Sequence, residues 1–294
     1  MKETAVAVGK FDGLHLGHRK VIAALTKYSA QTGAKPLVVT FDPSPSVYFG
    51  QSESVIYTPS EREYILKGLG IDSFLRCPFG KEIAETDAES FAQSFLFGRL
   101  NAKAVFAGQD FRFGKARLGD FELLRRLGAE RGIEVFEIGA AVAGNTRISS
   151  TAVREVISGE AADMELVAQM LDEPLFLIDK VSEGKKNGRR LGFPTINIHP
   201  SKRKLLPRDG VYKTVTEVFG NTHNSITNIG TNPTFSGNER VVETHILGLD
   251  SDLYGENVKV SFLKFLRAEI KFSNEAELIA QIASDIKACS YPSE

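Results

Sequence analysis

The sequence predicts an α/β protein of two domains: a parallel sheet covered by helices, followed by a small β-barrel with a closing helix. From residue 1 to about residue 140, strand-like apolar runs alternate with helical patterns. After Pro174 the helical patterns give way to short strands separated by turn signals. A chain of 294 residues is long enough for two such domains. We place the boundary between residues 171 and 172.

The elements of the first half follow from local patterns. Concentrations of β-branched and aromatic residues predict strands at residues 5–8, 36–41, 73–79, 104–107 and 134–138. Thr58 and Thr86 each precede a glutamate by three residues, which predicts two helix starts. In open α/β sheets, ligands collect at the carboxyl ends of the strands. The loops that follow these strands are therefore expected to share one edge.

A glycine- and histidine-rich turn joins the first strand to the first helix. It reads Gly9-Lys10-Phe11-Asp12-Gly13-Leu14-His15-Leu16-Gly17-His18. The glycines allow a ligand to approach the backbone closely, and the free N–H groups of a helix start favour an anion. His15 and His18 add side chains that can donate hydrogen bonds or carry positive charge. The turn predicts a nucleotide site that differs from the P-loop and from Gly-x-Gly-x-x-Gly.

Two further loops of the first half carry candidate residues. Asp110, Phe111 and Phe113 follow the strand at 104–107; core packing is the alternative for the phenylalanines, and a local ion pair is the alternative for Asp110. In the stretch Arg147-Ile148-Ser149-Ser150-Thr151, an arginine and three hydroxyl groups come just before a predicted helix. These groups suit the binding of a triphosphate. Helix capping is the alternative for its serines.

The second half is predicted to form a barrel from strands at residues 175–181, 195–198, 211–219, 225–229, 241–247 and 258–263, with a closing helix at 274–288. Its densest motif spans residues 188–197, where glycines and basic residues suit a phosphate. Thr195 and Asn197 share one strand face, and their oxygens suit Mg²⁺ that bridges ATP phosphates. Glu243 shares a strand face with His245 and is a candidate general base. A solvated strand face is the alternative for all of these residues.

These motifs carry a resemblance to known families. The pattern Gly-x-Phe-Asp-Gly-x-His-x-Gly-His resembles the signature of the nucleotidyltransferase superfamily, specifically its flavin-adenylylating branch, and Arg147–Thr151 is similar to the second signature. Residues 188–197, residues 228–235 and Glu243 resemble the riboflavin kinase module. Together the two halves resemble the prokaryotic bifunctional riboflavin kinase/FAD synthetases, whose first domain is a Rossmann-like nucleotidyltransferase. Ser44 stands where that family usually carries a histidine between two prolines.

The resemblance implies that ATP phosphorylates riboflavin to FMN and then adenylylates FMN to FAD, with release of pyrophosphate. The implied cofactor is Mg²⁺, ATP is the co-substrate, and FMN and FAD are product ligands. For adenylylation it implies His15 and His18 as catalytic residues that handle ATP, and an ATP-binding set of Gly9, Phe11, Gly17, Arg147, Ser149, Ser150 and Thr151. For the kinase it implies phosphate binding by Gly188, Arg189 and Gly192, a metal held by Thr195 and Asn197, and Glu243 as the base. Flavin contacts are predicted at Asp110, Phe111, Phe113, Asn228 and Arg267.

Composition limits the other classes of function. The chain has 36 basic and 37 acidic residues, so we expect no nucleic-acid or membrane partner. Its two cysteines are far apart in the sequence and fit a reducing cytosol, which predicts a cytoplasmic protein. We expect a monomer or a weak homo-oligomer. Two alternatives stay open: an enzyme that retains only one activity, because of Ser44, and a flavin-binding protein without ATP turnover.

Overall fold

Residues 3–51, 54–143, 146–183, 188, 191–234, 237–249 and 251–290 are described by a computed structural model. The chain divides into two units, Met1–Ala152 and Val153–Glu294. The boundary predicted between residues 171 and 172 stays a prediction. Across the described ranges, no helix has the length and apolar character needed to cross a membrane.

A parallel sheet forms the centre of the first unit. Its strands are β1 (Thr4–Val8), β2 (Lys35–Asp42), β3 (Phe74–Pro78), β4 (Ala102–Gly108) and β5 (Glu134–Ile138). They lie in the order β3-β2-β1-β4-β5, and every neighbouring pair is parallel. The strand order reverses at β1, which opens a crevice at the carboxyl ends of β1 and β4. This arrangement confirms the predicted α/β sheet.

Helices connect and cover these strands. They are α1 (Leu16–Thr32), α2 (Pro45–Tyr48), α3 (Pro59–Gly68), α4 (Lys81–Glu85), α5 (Ala88–Ser90), the π-helical segment Phe91–Arg99, the 3₁₀ turn Lys115–Arg117 and α6 (Phe121–Ala129); α7 (Ser150–Ser158) follows them in the chain. Two short strands, β6 (Val142–Ala143) and β7 (Thr146–Arg147), pair antiparallel before α7. On one side of the sheet, side chains of the π-helical segment and α6 share a buried core with Val6 and Val105.

One of the two predicted helix starts is confirmed and the other is wrong. Thr58 caps α3 through a complete capping box with Glu61. Thr86 instead follows the end of α4 and donates from Oγ1 to the carbonyl oxygen of Glu82 at 2.7 Å. Asp87 caps α5 by accepting from the Ser90 N–H at 2.8 Å. Asp87, next to Thr86, competes for the N-cap position. The spacing of Thr86 and Glu89 does not reveal this competition.

An antiparallel sheet that curls and closes on itself forms the second unit. Its strands are β8 (Leu175–Lys180), β9 (Ile196–Ile198), β10 (Gly210–Val218), β11 (Asn221–Thr234), β12 (Gly237–Ile246) and β13 (Asn257–Arg267). They lie in the order β8-β13-β10-β11-β12-β9. Just after β8, the Ser182 N–H donates to the carbonyl oxygen of Asn197 in β9 at 2.8 Å, so the two edge strands meet. The predicted small barrel is confirmed.

Helices cover the outside of this barrel, and its interior is partly polar. Helix α8 (Met164–Leu171) packs on β8 and β13. The closing helix, α9 (Glu275–Ser290), packs Ile286 and Cys289 against Val211 and Ile226. Inside, fully buried hydroxyl groups form a chain with O···O distances of 2.8–2.9 Å in the order Thr216, Ser225, Thr214, Thr227, Thr244.

Candidate active sites

The first site is built on the turn between β1 and α1. The Gly9 N–H donates to the carbonyl oxygen of Val39 at 3.1 Å, which ties the turn to β2. Phe11 and Leu14 are buried and have φ values of 47° and 43°, a region that side-chain-bearing residues seldom adopt. Gly13 has φ 83°, and a Cβ there would lie 2.8 Å from Ile56. The backbone conformation thus favours glycine in this position, and a Cβ there would require the end of the Ile56 side chain to shift.

The two histidines of the turn meet at the start of α1. His15 occupies the N-cap position but makes no side-chain capping bond, so the first N–H groups of α1 stay available to a ligand. The rings of His15 and His18 stack with their centroids 3.8 Å apart. Nδ1 of each ring is buried and has no hydrogen-bond partner among the described residues. The structure therefore places both histidines as predicted, beside a helix start.

Burial sets the charge of these rings. It lowers the pKa of His15 from 6.5 to about 4, against a smaller opposing effect of the Asp110 carboxylate. The pKa of His18 is lowered well below its ordinary value, first by burial and then by the proximity of His15. Both rings are neutral at physiological pH. A bound polyanion would supply the negative charge that favours their protonated forms.

A buried network behind the turn holds its backbone in place. The Asp12 carboxylate accepts from the Ile56 N–H at 2.9 Å. Arg62 is 5% exposed, and its guanidinium donates to the carbonyl oxygen of Lys10 at 3.2 Å and to Thr40 Oγ1 at 3.3 Å. We did not predict Arg62 from the sequence, because it lies on α3 and nothing in its local pattern distinguishes it from a solvated helix residue.

The second signature comes together with the first. Ser150 Oγ donates to the carbonyl oxygen of Asp12 at 2.7 Å, so the start of α7 is bonded directly to the turn. Ser149 Oγ accepts from the Ala152 N–H at 3.2 Å and acts as a helix cap. Arg147 pairs with Asp110 at 3.3 Å, and both side chains are largely exposed. Thr151 is exposed in the first turn of α7.

The aromatic residues at this edge divide into a buried and an exposed group. Phe113 is 5% exposed and belongs to the core of the first unit, and Phe111 stacks on it with centroids 5.4 Å apart. Core packing is thus what the structure shows for Phe113. Tyr48 and Phe49, which follow β2, are 42% and 58% exposed. The proline-containing sequence after β2 predicts a loop at this edge, but Tyr48 and Phe49 are not among the flavin contacts predicted from the sequence.

Ser44 has a defined role in the same loop. It is buried and caps α2, since its Oγ accepts from the Val47 N–H at 3.4 Å. Its hydroxyl also lies 3.1 Å from Ser46 Oγ. Ser44 is therefore part of the local fold of this loop.

The second site is a row of polar residues across three strands of the barrel. Asn197 in β9 lies opposite Glu243 in β12, and Glu243 lies opposite Asn228 in β11. Residues that are directly opposite share a face of the sheet, with Cβ atoms about 5 Å apart. The structure thus brings the predicted base, one predicted metal ligand and one predicted flavin contact onto a single face.

The loop before β9 is a tight turn that depends on glycine. The Gly188 carbonyl oxygen accepts from the N–H groups of Leu191 and Phe193 at 3.1 and 2.8 Å. A Cβ at Gly188 would lie 3.2 Å from Thr195 Oγ1 and closer still to the Phe193 carbonyl oxygen. Gly192 has φ 87°, which also favours glycine. Arg189 lies outside the described residues.

A cavity of about 220 Å³ adjoins this loop. Among the residues that line it are Ser182, Thr195, Asn197 and Tyr254. Thr195 and Asn197 offer neutral oxygen ligands, the Glu183 and Asp252 carboxylates line the same cavity, and Glu243 is not among its lining residues. In the part of the chain that the structure describes, no group of three or more His, Cys, Asp or Glu side chains could hold a metal. The donor set fits a hard cation that keeps water and phosphate oxygens as its other ligands.

The last two predicted flavin contacts differ in their surroundings. Asn228 Nδ2 donates to the Glu269 carboxylate at 3.4 Å. Arg267 makes a two-pronged ion pair with Asp285 of α9, with Nε and Nη2 at 3.1 and 2.7 Å from its carboxylate oxygens. Arg267 therefore connects the barrel to the closing helix.

Comparisons with known proteins cover both units. Residues 1–152 match the FAD synthetase family, and residues 171–291 match the riboflavin kinase family. The bifunctional riboflavin kinase/FMN adenylyltransferase of Escherichia coli strain K12 is 34% identical over 285 residues, which is 95% of this chain and 90% of that protein. The protein of the same name from Listeria monocytogenes is 34% identical over 284 residues, covering 95% of this chain and 89% of its own length.

Among the solved structures that resemble this chain is one that matches its whole length. It is described as a macrolide-efflux protein from Streptococcus pneumoniae, with a TM-score of 0.89 and 29% identity. The match covers 100% of this chain and 96% of the other. The likeness thus extends over both sites described above.

Proposed function

The chain belongs to the family of bifunctional riboflavin kinase/FMN adenylyltransferases, and we propose that its two reactions occur at the two sites described above. It is a flavin-cofactor enzyme that uses ATP with riboflavin and with FMN. We assign adenylylation to the turn after β1 and phosphorylation to the polar row on β9, β12 and β11. The proposal is carried by one observation: in each unit, residues of the predicted motifs lie together at one site.

In adenylylation, a phosphate oxygen of FMN attacks the α-phosphorus of ATP and the bond to pyrophosphate breaks. Positioning and charge stabilisation supply most of the catalysis in such displacements. We assign the ATP phosphates to the N–H groups at the start of α1 and to His15 and His18. The two Nδ1 atoms without partners support this assignment, because a phosphate oxygen would give them the partner they lack. When ATP binds, the Arg147 guanidinium would leave the Asp110 carboxylate and pair with a phosphate instead.

For the flavin in the first site we propose the exposed pair Tyr48 and Phe49. Phe113 is committed to the core, and Phe111 is stacked on it. Tyr48 and Phe49 instead present more than a third of their surface at the same edge of the sheet. An isoalloxazine ring would bury that aromatic surface.

In phosphorylation, Glu243 accepts the proton of the terminal ribityl hydroxyl as that oxygen attacks the γ-phosphorus and the bond to ADP breaks. We propose Thr195 and Asn197 as the protein ligands of Mg²⁺, because they share one cavity and offer oxygen donors. When bound, Mg²⁺ offsets the charge of the phosphates. The register pairing of Asn197 with Glu243 supports placing the metal ligands beside the base. The cytoplasmic location and the monomeric or weakly oligomeric state stay predictions.

Two variants test this division. Glu243→Gln keeps the shape but cannot take the proton, so FMN formation should fall by about 10²–10⁴-fold while supplied FMN is still converted to FAD. His18→Ala should lose about 10²–10³-fold of FAD formation and accumulate FMN. Mixed together with riboflavin and Mg-ATP, the two variants should restore FAD, because FMN diffuses between molecules.

Chromatography that separates riboflavin, FMN and FAD measures the products in every part of this experiment. A folded Glu243→Gln protein that loses both reactions would contradict two independent sites, and one that loses neither would make Glu243 an ordinary strand carboxylate. Wild-type protein in the same assay tests the alternative of a single activity: FMN without FAD would support an enzyme that retains only the kinase reaction. Tight flavin binding without turnover would instead support the binding-protein alternative.

A further inference from the structure

His245 contacts the loop that carries Thr195. It lies on β12, two residues after Glu243, and therefore on the same face of the strand. Its Nδ1 is 2.7 Å from the carbonyl oxygen of Pro194. A carbonyl oxygen can only accept, so Nδ1 carries the proton and donates. The Phe193 ring meets the imidazole edge to face, with centroids 5.9 Å apart and planes at 89°.

Pro194, which accepts this hydrogen bond, lies just before the residues of β9 that pair with β12. Strand β9 has three residues, and its pairing with β12 joins Val242 to Ile198, Glu243 to Asn197 and Thr244 to Ile196. One step further in the same register, His245 lies opposite Thr195, which is outside the strand. Pairing with β12 thus constrains Asn197, and the ladder places no such constraint on Thr195.

The hydrogen bond to Pro194 supplies that constraint. A peptide group is planar, so fixing the Pro194 carbonyl also fixes the plane that leads into the Thr195 Cα atom. Pro194 has no N–H of its own to hold the loop, and its φ is already restricted. From the same strand, the His245 side chain can therefore set the distance between the Thr195 hydroxyl and the Glu243 carboxylate.

We propose that His245 is a positioning residue of the kinase site, which holds Thr195 in register with Glu243 through the Pro194 carbonyl. The proposal rests on the proposed roles of Thr195 and Glu243. It accounts for a histidine that those roles leave unused. Loss of the contact should impair the use of Mg-ATP and leave riboflavin binding unchanged, because the loop belongs to the cavity that Thr195 and Asn197 line.

The test compares two amides in the full-length chain. In His245→Asn the side-chain N–H₂ can take the place of Nδ1–H, whereas in His245→Gln the longer side chain carries its amide past that position. We expect His245→Gln to lose about 10–100-fold in kcat/KM for Mg-ATP, the range found when residues that support metal ligands are changed. His245→Asn should retain most of the activity. The KM for riboflavin should stay constant in both, and the Mg²⁺ concentration for half-maximal rate should rise only in His245→Gln.

Conversion of FMN to FAD by the same preparations reports on protein concentration, and hydrogen exchange of β13 amides reports on the fold of the second unit. Equal activity of the two amide variants, or equal losses for riboflavin and for Mg-ATP, would overturn the proposal. Thr195→Val separates this result from a failure of the proposed function. Full kinase activity in Thr195→Val would refute the role of Thr195 itself. Loss of activity in Thr195→Val together with normal Mg-ATP use in His245→Gln would refute only the role of His245.

Discussion

The imidazole rings of His15 and His18 stack with their planes 19° apart, and each ring has a buried Nδ1 without a partner. Two like charges at this separation would repel each other in a region of low dielectric constant. The free protein therefore keeps both rings neutral, and the pKa of His15 is lowered to about 4. This pair links the chemistry of the first site to the stability of the first unit.

We predict that acid destabilises the first unit through these rings. Between pH 6.5 and about 4, the unfolded chain binds a proton at His15 that the folded chain does not. Stability must then fall as pH falls through this window, by about 1.4 kcal/mol per pH unit for His15. Above pH 6.5 both states are neutral and this contribution is constant. Hydrogen exchange of β1 amides at several pH values would measure it.

The matched variants for this measurement are His15→Asn and His199→Asn. His15→Asn removes the titration at the stacked pair, so its unfolding free energy should fall less steeply below pH 6.5 than that of the wild type. His199 is exposed and lies in the second unit, so its substitution should leave the slope unchanged. Parallel slopes for wild type and His15→Asn would show that the ring is not held neutral.

Gly17 is predicted to control the position of His15. A Cβ at residue 17 would lie 3.1 and 3.2 Å from two atoms of the His15 ring, which is closer than such atoms normally approach. Gly17→Ala should therefore displace the ring from His18 and lower FAD formation, by about 10-fold or more if one charge-stabilising donor is misplaced. Riboflavin phosphorylation, measured in the same sample, should be unaffected.

Gly68→Ala provides the control for this substitution. Gly68 is the last residue of α3, and a Cβ there would meet no atom within 4 Å. Replacing a helical glycine by alanine stabilises by up to about 1 kcal/mol, so both activities should persist. Wild-type FAD formation in Gly17→Ala would mean that the ring can shift without consequence.

The parts of the sites that sequence predicts best are those held by local backbone pattern. The turn at residues 9–18, the strand that carries both Glu243 and His245, and the closing helix all follow from periodicity and glycine placement, and the structure contains each of them. Strand bounds differed by a few residues, as for β13, which runs four residues beyond its predicted end at 263. Hydrogen bonding in a ladder continues past the apolar core that the pattern detects.

What escaped prediction depends on contacts between distant residues. Arg62 donates to the Lys10 carbonyl oxygen, 52 positions away in the sequence. The hydroxyl-bearing residues inside the barrel are polar, and a polar strand residue is normally predicted to be exposed. They are fully buried because each finds a hydroxyl partner on a neighbouring strand. No local pattern distinguishes a hydroxyl that will find such a partner from one that faces water.

The pair Arg267 and Asp285 shows the same limit and yields the last prediction. Their side chains are 18% and 8% exposed, and Gln281 Nε2 also donates to the Asp285 carboxylate at 2.9 Å. Removing one member of a largely buried pair leaves an uncompensated charge, so Asp285→Leu or Arg267→Met should cost roughly 3 kcal/mol in the unfolding free energy of the second unit. The double variant should recover most of this loss, because no charge is left buried.

Urea unfolding, followed by hydrogen exchange of α9 and β13 amides, would give these free energies. Glu165→Gln is the control, since Glu165 and Lys264 form a pair that is 66% and 63% exposed and such pairs contribute little. If Arg267 acts mainly on the flavin, Arg267→Met would raise the KM for riboflavin at unchanged stability, and Asp285→Leu would have no matching effect. If Arg267 instead joins the barrel to α9, both single variants would lose stability. Any change in the KM for riboflavin would then appear in both variants, because both loosen α9.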